Sequence, residues 1–421
     1  MPSRLAMQMS QFASLVLKVS ATTQENARRR PSGDHAGSRI VATPGMTSGR
    51  APGLSTGSRS SCPAWFAASQ QDRYAIASLV GAQAWSNPPN PFAPTALEYL
   101  EEDHPRATVH VWDDTTKGIL ATNDSPDVGF NFSVNPYRGC MHACAYCYAR
   151  PGHEYLGFGA GTDFDTQIVV KRRAPELLRE AFWKPSWKGE LVVFSGVTDC
   201  YQPLEASLRL TRGCLEVCAE FRNPVGIITK SPIIERDVDV LQQLARDASL
   251  SVAVSLPFHD QDLARAIEPG VATPKRRLQV IERLAAAGIR VGVSIAPVIP
   301  GLDEGVSRVL AEAASAGAHF AGYVLLRLPG SVRPVFEQRL REALPLRAEK
   351  VLHRIQETRG GKMYDSTWGL RQRGEGQYAD AIASLFAAQA RKVGLEPRWP
   401  DDARPETFRR PERAGDQLTL L

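Results

Sequence analysis

The chain is short of what several common protein classes require. No stretch approaches the roughly 20 uninterrupted apolar residues of a membrane helix, so no membrane association is expected. Seven cysteines in 421 residues are too few and too clustered for a secreted disulfide scaffold, which points to a reducing, cytoplasmic setting. Aromatic residues are nearly missing at the start: Phe12 is the only one in the first 60 residues, leaving little from which to build a core. Outside that stretch the chain also lacks an excess of either charge. Residues 1–60 hold eight Lys/Arg against two Asp/Glu, and the whole chain is only +5, so the remainder is near neutral. Net charge is therefore weak support for a nucleic-acid partner.

These shortages divide the chain. Residues 1–85 read as a low-complexity basic tail, expected to be disordered, with Arg28-Arg29-Arg30 leading into a run of Gly, Ser, Thr and Pro. Its Arg and Ser content resembles a transit peptide, and Leu15-Val16-Leu17 weakly resembles a signal core, with disorder or a start placed too far upstream as the plainer account. Residues 86–129 form a lead-in segment, 130–335 the main core, and 336–421 a helical C-terminal extension. Within the core, strand-like runs occur at residues 128–135, 191–195, 225–229, 251–256, 291–296 and 322–326.

Helical spacings lie between these runs: Leu177, Leu178, Ala181 and Phe182 behind Pro175; Val240, Leu241 and Leu244; Leu278, Ile281 and Leu284 before Gly288; Val306, Val309, Leu310 and Ala313 before Gly317. Six strand-then-helix units imply parallel strands joined by right-handed crossovers. Either an open doubly wound sheet or an incomplete (β/α)6 TIM-like barrel satisfies that pattern. The barrel is expected, because chemistry-bearing residues follow strand after strand. Both architectures put the site at the carboxyl ends of the strands.

What is present in concentrated form is a triad. Cys140, Cys144 and Cys147 follow the first strand at C-x3-C-x2-C spacing. Structural zinc needs a fourth ligand, with His142 or His153 nearest. A redox dithiol at Cys144 and Cys147 leaves Cys140 unexplained. A ferredoxin-like carrier asks for a fourth cysteine, and the next one is Cys200. Three thiolates can instead hold one face of an iron–sulfur cube and leave its fourth iron open to a small molecule.

The triad, with the aromatic Tyr146 before its last cysteine, resembles the signature of the radical SAM superfamily. The runs Asn123–Phe130, Asn135–Cys140, Tyr148–Tyr155, Gly196–Pro203, Ile228–Ser231, Ala296–Gly301 and Leu326–Pro329 are similar to the branch related to spore photoproduct lyase. More narrowly they resemble a bacterial group of that branch without an established substrate. The resemblance implies a [4Fe–4S] cluster on Cys140, Cys144 and Cys147, with S-adenosyl-L-methionine (SAM) on the open iron. It implies reductive cleavage of SAM to methionine and a 5′-deoxyadenosyl radical that takes hydrogen from a substrate. An electron donor such as flavodoxin or ferredoxin is implied as well. The alternatives are a lyase reversing a DNA lesion and a non-catalytic iron–sulfur electron-transfer or sensor protein.

The same resemblance distributes the SAM contacts. Gly196, Thr198 and Asp199 lie where the superfamily meets the SAM amino group, Lys230 where a basic residue meets its carboxylate, and Ser255 where the ribose is held. Pro297 would wall the adenine, and Tyr146 and Tyr148 would pack on cluster or SAM. Cys200 is a candidate hydrogen-atom donor. Cys214 and Cys218 fall on one apolar helical face with Leu210, Val217 and Phe221 and are expected in the core. Gly270 stands where the family tends to carry Arg, and Ala143 where it tends to carry Gly. Arg327, with Lys362, Arg371 and Arg373 interleaved among Tyr364, Trp368 and Tyr378, suggests a nucleic-acid clamp or a loop closing the open barrel.

Overall fold

The computed structural model describes residues 75–83, 86–92, 106–396 and 405–412; residues 1–74 of the expected tail lie outside them. Short apolar runs bounded by turns become β1 (Ala75–Gln83), β2 (Arg106–Asp113), β3 (Leu120–Thr122), β4 (Phe132–Val134), β5 (Tyr137–Arg138) and β6 (Gln167–Val170). They continue as β7 (Val192–Phe194), β8 (Val225–Thr229), β9 (Leu250–Ser255), β10 (Val291–Val298) and β11 (Phe320–Leu325). β4, β7, β8, β9, β10 and β11 are the six expected strands, and each is parallel to the next. Every residue of β9 is buried, as befits a parallel strand covered on both faces.

The order β11-β10-β9-β8-β7-β4-β3 never reverses. A doubly wound sheet reverses at its switch point, so the sheet is the partial-barrel kind. It stays open between β11 and β3, the latter antiparallel to β4. The expected helices lie between the strands at Ala174–Trp183, Val238–Asp247, Pro274–Ala286 and Val306–Ser315. In the third, the buried stripe is Pro274, Arg277, Val280, Ile281 and Leu284. It also includes Arg277, while the expected Leu278 is half-buried and packs against the core. Gly288 and Gly317 follow with positive φ, 74° and 89°, the left-handed stop that glycine permits.

A second sheet, β1-β2-β6-β5, flanks the first. It adds structure to the supposed lead-in and puts strand β1 inside the stretch read as tail. The alternation in Val109 and Val111, both buried, is its sequence signal. C-terminal helices occur at Val332–Ala343, Ala348–Glu357 and Gly376–Lys392. Ile382, Phe386 and Ala390 of the last join the core around β10 and β11. Between the last two helices, residues 358–375 run from one edge of the open sheet to the other. Leu325 N–H donates to Gln372 O at 2.8 Å, and Arg359 donates to Leu326 O at 2.7 Å. At the far edge Gly369 N–H and Arg371 both donate to Asp127, at 2.8 and 2.5 Å. No helix among the described residues is long and apolar enough to cross a membrane.

Candidate active site

The cysteine loop leaves β5 at the carboxyl end of the barrel strands and turns back on itself at once. Gly139 has φ +76°, and a Cβ there would stand 2.9 Å from Gln167 O, so only glycine fits. Ala143 sits at φ +53°, a left-handed conformation that costs a residue with a Cβ about 1–2 kcal/mol. Cys140 N–H donates to Phe164 O at 2.9 Å and Ala145 N–H to Ile267 O at 2.9 Å. Gln202 braces the loop from the turn after β7, donating to Gly139 O at 3.1 Å and accepting from Met141 N–H at 3.2 Å. Gly270 packs so closely that a Cβ would lie 2.3 Å from Met141 O. Position 270 therefore has no room for any side chain, so no anionic contact can be made from it.

Behind the loop is a charged wall. Arg150 donates to Cys144 O at 2.8 Å and to Asp165 Oδ1 at 2.9 Å. Arg339, from the helix Val332–Ala343, donates to Ala143 O at 2.7 Å and to Asp165 Oδ2 at 2.5 Å. Arg150, Asp165 and Arg339 are all buried. A second chain runs sideways: the Tyr146 hydroxyl donates to Glu268, and Arg277 donates to Glu268 at 2.7 Å and to Ser255 O at 2.9 Å. Sequence reasoning missed Arg150, Asp165, Glu268, Arg277 and Arg339 as site residues. Arg277 and Arg339 left one signal, a charge standing on the apolar stripe of an amphipathic helix.

In front of the loop lies a solvent-open cleft of about 920 Å³. It brings together Cys144, Cys147, Tyr146, Tyr148, Thr198, Asp199, Lys230, Ser255 and Pro297, with Arg327 at the end of β11. Ile228, Val324, Leu325 and Leu326 supply apolar wall. Cys140 and Gly196 are not among the lining residues; Gly196 O accepts from the Tyr148 hydroxyl at 3.1 Å. The Thr198 hydroxyl is committed to Tyr137 O at 2.8 Å, and the Ser255 hydroxyl donates to Ala296 O at 3.3 Å.

Asp199 ties two strand ends together, accepting from the Thr229 hydroxyl and from Lys230 N–H, each at 2.8 Å. Burial would raise its carboxyl, but His142 at 3.4 Å and Lys230 hold it down at about 2. The Lys230 ammonium makes no ion pair among the described residues and stands 5.8 Å from the centre of the Tyr146 ring. Burial pulls its pKa down, yet the charges of Cys144, Glu268 and Asp199 together keep it above its ordinary value. Cys200 differs from the rest. It is 1% exposed, packed in the core with Phe194, Tyr201 and Cys214, and not on the cleft, which removes the observation behind a hydrogen-donor role. Cys214 and Cys218 are wholly buried in the same cluster.

The donor set fits an iron–sulfur cube. Cys140 and Cys144 are buried and Cys147 partly so. Burial pushes the Cys144 thiol up to about 12 against the pull of Lys230 and Arg150; coordination to a metal would displace that proton. Among the described residues no three His, Cys, Asp or Glu side chains converge as ligands of a single ion do.

Residues 134–311 match the Radical SAM superfamily. An uncharacterized protein of Mycobacterium tuberculosis is 42% identical over 219 residues, 51% of this chain and 64% of that protein. An uncharacterized protein of Methanocaldococcus jannaschii is 30% identical over 174 residues, 41% of this chain and 62% of that one. The chain thus spans under two thirds of the length of these curated relatives. Among solved structures, spore photoproduct lyase complexed with dinucleoside spore photoproduct aligns at TM-score 0.50 and 16% identity, over 69% of this chain and 81% of the other. At that identity the likeness concerns the fold.

Proposed function

We propose that the chain is a radical SAM enzyme whose cleft holds both SAM and substrate, a reading supported by the match of residues 134–311 to the Radical SAM superfamily. Cys140, Cys144 and Cys147 would hold the [4Fe–4S] cluster, leaving one iron for SAM. When bound and reduced, such a cluster would supply the one-electron cleavage of SAM that starts radical hydrogen abstraction. Lys230 would be the cation for the SAM carboxylate, and Asp199 would face the amino group. Ser255 would meet the ribose, and Pro297 with Leu325 would wall the adenine. Tyr146 and Tyr148 would form the floor beside Cys147. A flavodoxin- or ferredoxin-type donor in the cytoplasm fits the one-electron demand.

The observation that carries this reading is the meeting of Cys144, Cys147, Asp199, Lys230 and Ser255, from four separate strand ends, on one cleft. The test is anaerobic reconstitution with iron and sulfide, followed by SAM and dithionite. 5′-Deoxyadenosine is expected; none from a fully loaded protein would contradict the proposal.

A second reading concerns the substrate. Trp368 is 43% exposed on the segment that crosses the barrel opening, with the Arg371 guanidinium 3.7 Å from its ring centre. Arg327 is nearby, 3.4 Å from the Tyr364 hydroxyl. An exposed indole backed by a cation beside the cleft suits stacking on a nucleobase. This favours a nucleic-acid substrate, in line with the dinucleoside spore photoproduct bound to the lyase that resembles this chain in fold. Trp368→Ala is expected to weaken binding of a single-stranded oligonucleotide about tenfold, measured by fluorescence anisotropy; unchanged binding would remove the reading.

A further inference from the structure

Two guanidiniums and one carboxylate lie fully buried behind the cysteine loop, where an apolar core would be no less stable. Taking such charges out of water costs several kcal/mol per ion, and a buried ionic triad often contributes no more than well-packed apolar side chains. Arg339 sharpens the point. Its helix is apolar on the buried side through Val332, Val335, Phe336 and Leu340, yet it carries a charge into that stripe. What the triad gains is geometry. Arg339 and Arg150 hold the carbonyls of Ala143 and Cys144, two successive residues, at 2.7 and 2.8 Å. Asp165 grips both guanidiniums, so neither swings alone. Arg150 also donates to Ala160 O at 2.7 Å and Gly161 O at 2.9 Å, fixing the clamp to the chain that precedes Asp165.

We propose that Arg150, Asp165 and Arg339 are positioning residues that hold the middle of the cysteine loop in its strained left-handed turn, so that the thiols stay aligned to retain the cluster. The helix Val332–Ala343, well beyond the matched domain, is then part of the cofactor site. The inference rests on the cluster reading above and goes beyond it by assigning retention to residues that touch no iron.

The experiment uses the full chain, reconstituted anaerobically, and follows iron release to a chelator with circular dichroism as the check on folding. Arg339→Met and Asp165→Asn are expected to release iron about 10–100-fold faster than the wild type, the usual cost of losing a partner that orients a ligand. Arg339→Lys, which keeps the charge and a donor, lies between and remains informative if the methionine variant does not fold. Arg276→Met removes a different ion pair, with Glu235, that touches neither the loop nor the cleft lining, and should release iron at the wild-type rate. Wild-type release from Arg339→Met and Arg339→Lys would overturn the clamp. So would equal acceleration by Arg276→Met, since general destabilisation then explains the effect. A wild-type protein that takes up no iron and sulfide fails at the earlier step and brings down the cluster reading itself.

Discussion

The two sides of the cysteine loop are built on opposite principles. On the rear, every charge that touches the loop is paired: Asp165 with Arg150 and Arg339, Glu268 with Arg277. On the front, Lys230 faces the cleft with a ring beside it and no ion pair among the described residues. Paired buried charge fixes a shape, whereas a buried cation without an ion partner stores affinity for an anion. The rear therefore makes the site and the front uses it, and substitutions on the two sides should separate into folding and binding effects.

The largest effect is expected where the sides meet. Cys144→Ala removes one of the three thiolates, and the reconstituted protein should lose nearly all its cluster, read as iron and sulfide per chain. Full iron content in that variant would move the ligand set elsewhere. Next comes the rear. Asp165→Asn leaves two guanidiniums without their carboxylate and should cost about 3–5 kcal/mol in denaturant unfolding of the apoprotein. A cost under about 1 kcal/mol would mean the wall is not structural.

Lys230→Met should do the reverse, weakening SAM binding to the loaded protein about 10–100-fold through loss of a charge-assisted contact. Its apoprotein should unfold at no lower denaturant concentration than the wild type, because the substitution takes away a buried charge that has no ion partner. Unchanged SAM affinity by equilibrium dialysis would free Lys230 of that role.

The smallest expected effect concerns a buried acid outside that pairing. Glu154, on the short helix after the loop, has no arginine partner, and its Oε1 finds no hydrogen bond among the described residues. Burial raises its carboxyl to about 7, an effect that the nearby Ser331 hydroxyl offsets only in part. An unfolded chain releases that proton near pH 4.5, so between about 4.5 and 7 the folded state binds more protons than the unfolded one. Stability from this group is thus full below about pH 4.5 and lost as pH rises through 7. Glu154→Gln should gain about 1–2 kcal/mol at pH 8 and nothing at pH 4. An equal gain at both would refute the assignment.

The parallel strands were legible because each is a short apolar run after a helical stripe. Val240, Leu241 and Leu244, and Val306, Val309, Leu310 and Ala313, are the buried faces that their spacing predicts. The flanking sheet was not: β5 is two residues long and β6 only four, too brief for a period to register, and the short alternation at Val109 and Val111 was its one local sign. That Asp199, Lys230 and Ser255 would meet on one cleft was legible because they sit one after another at strand ends. The rear was hidden by distance in the chain. Asp165 and Arg339 are 174 residues apart, and nothing local to either names the other. Cys200 shows the converse error: a place in the right turn does not say which way a side chain faces.

One measurement bears most directly on the three-thiolate site with an iron left open for SAM. The reconstituted protein is reduced anaerobically and its electron paramagnetic resonance spectrum recorded before and after SAM is added. The account predicts a reduced [4Fe–4S] signal whose g values shift when SAM binds to the open iron. A well-formed cluster signal that is unchanged at saturating SAM would contradict it.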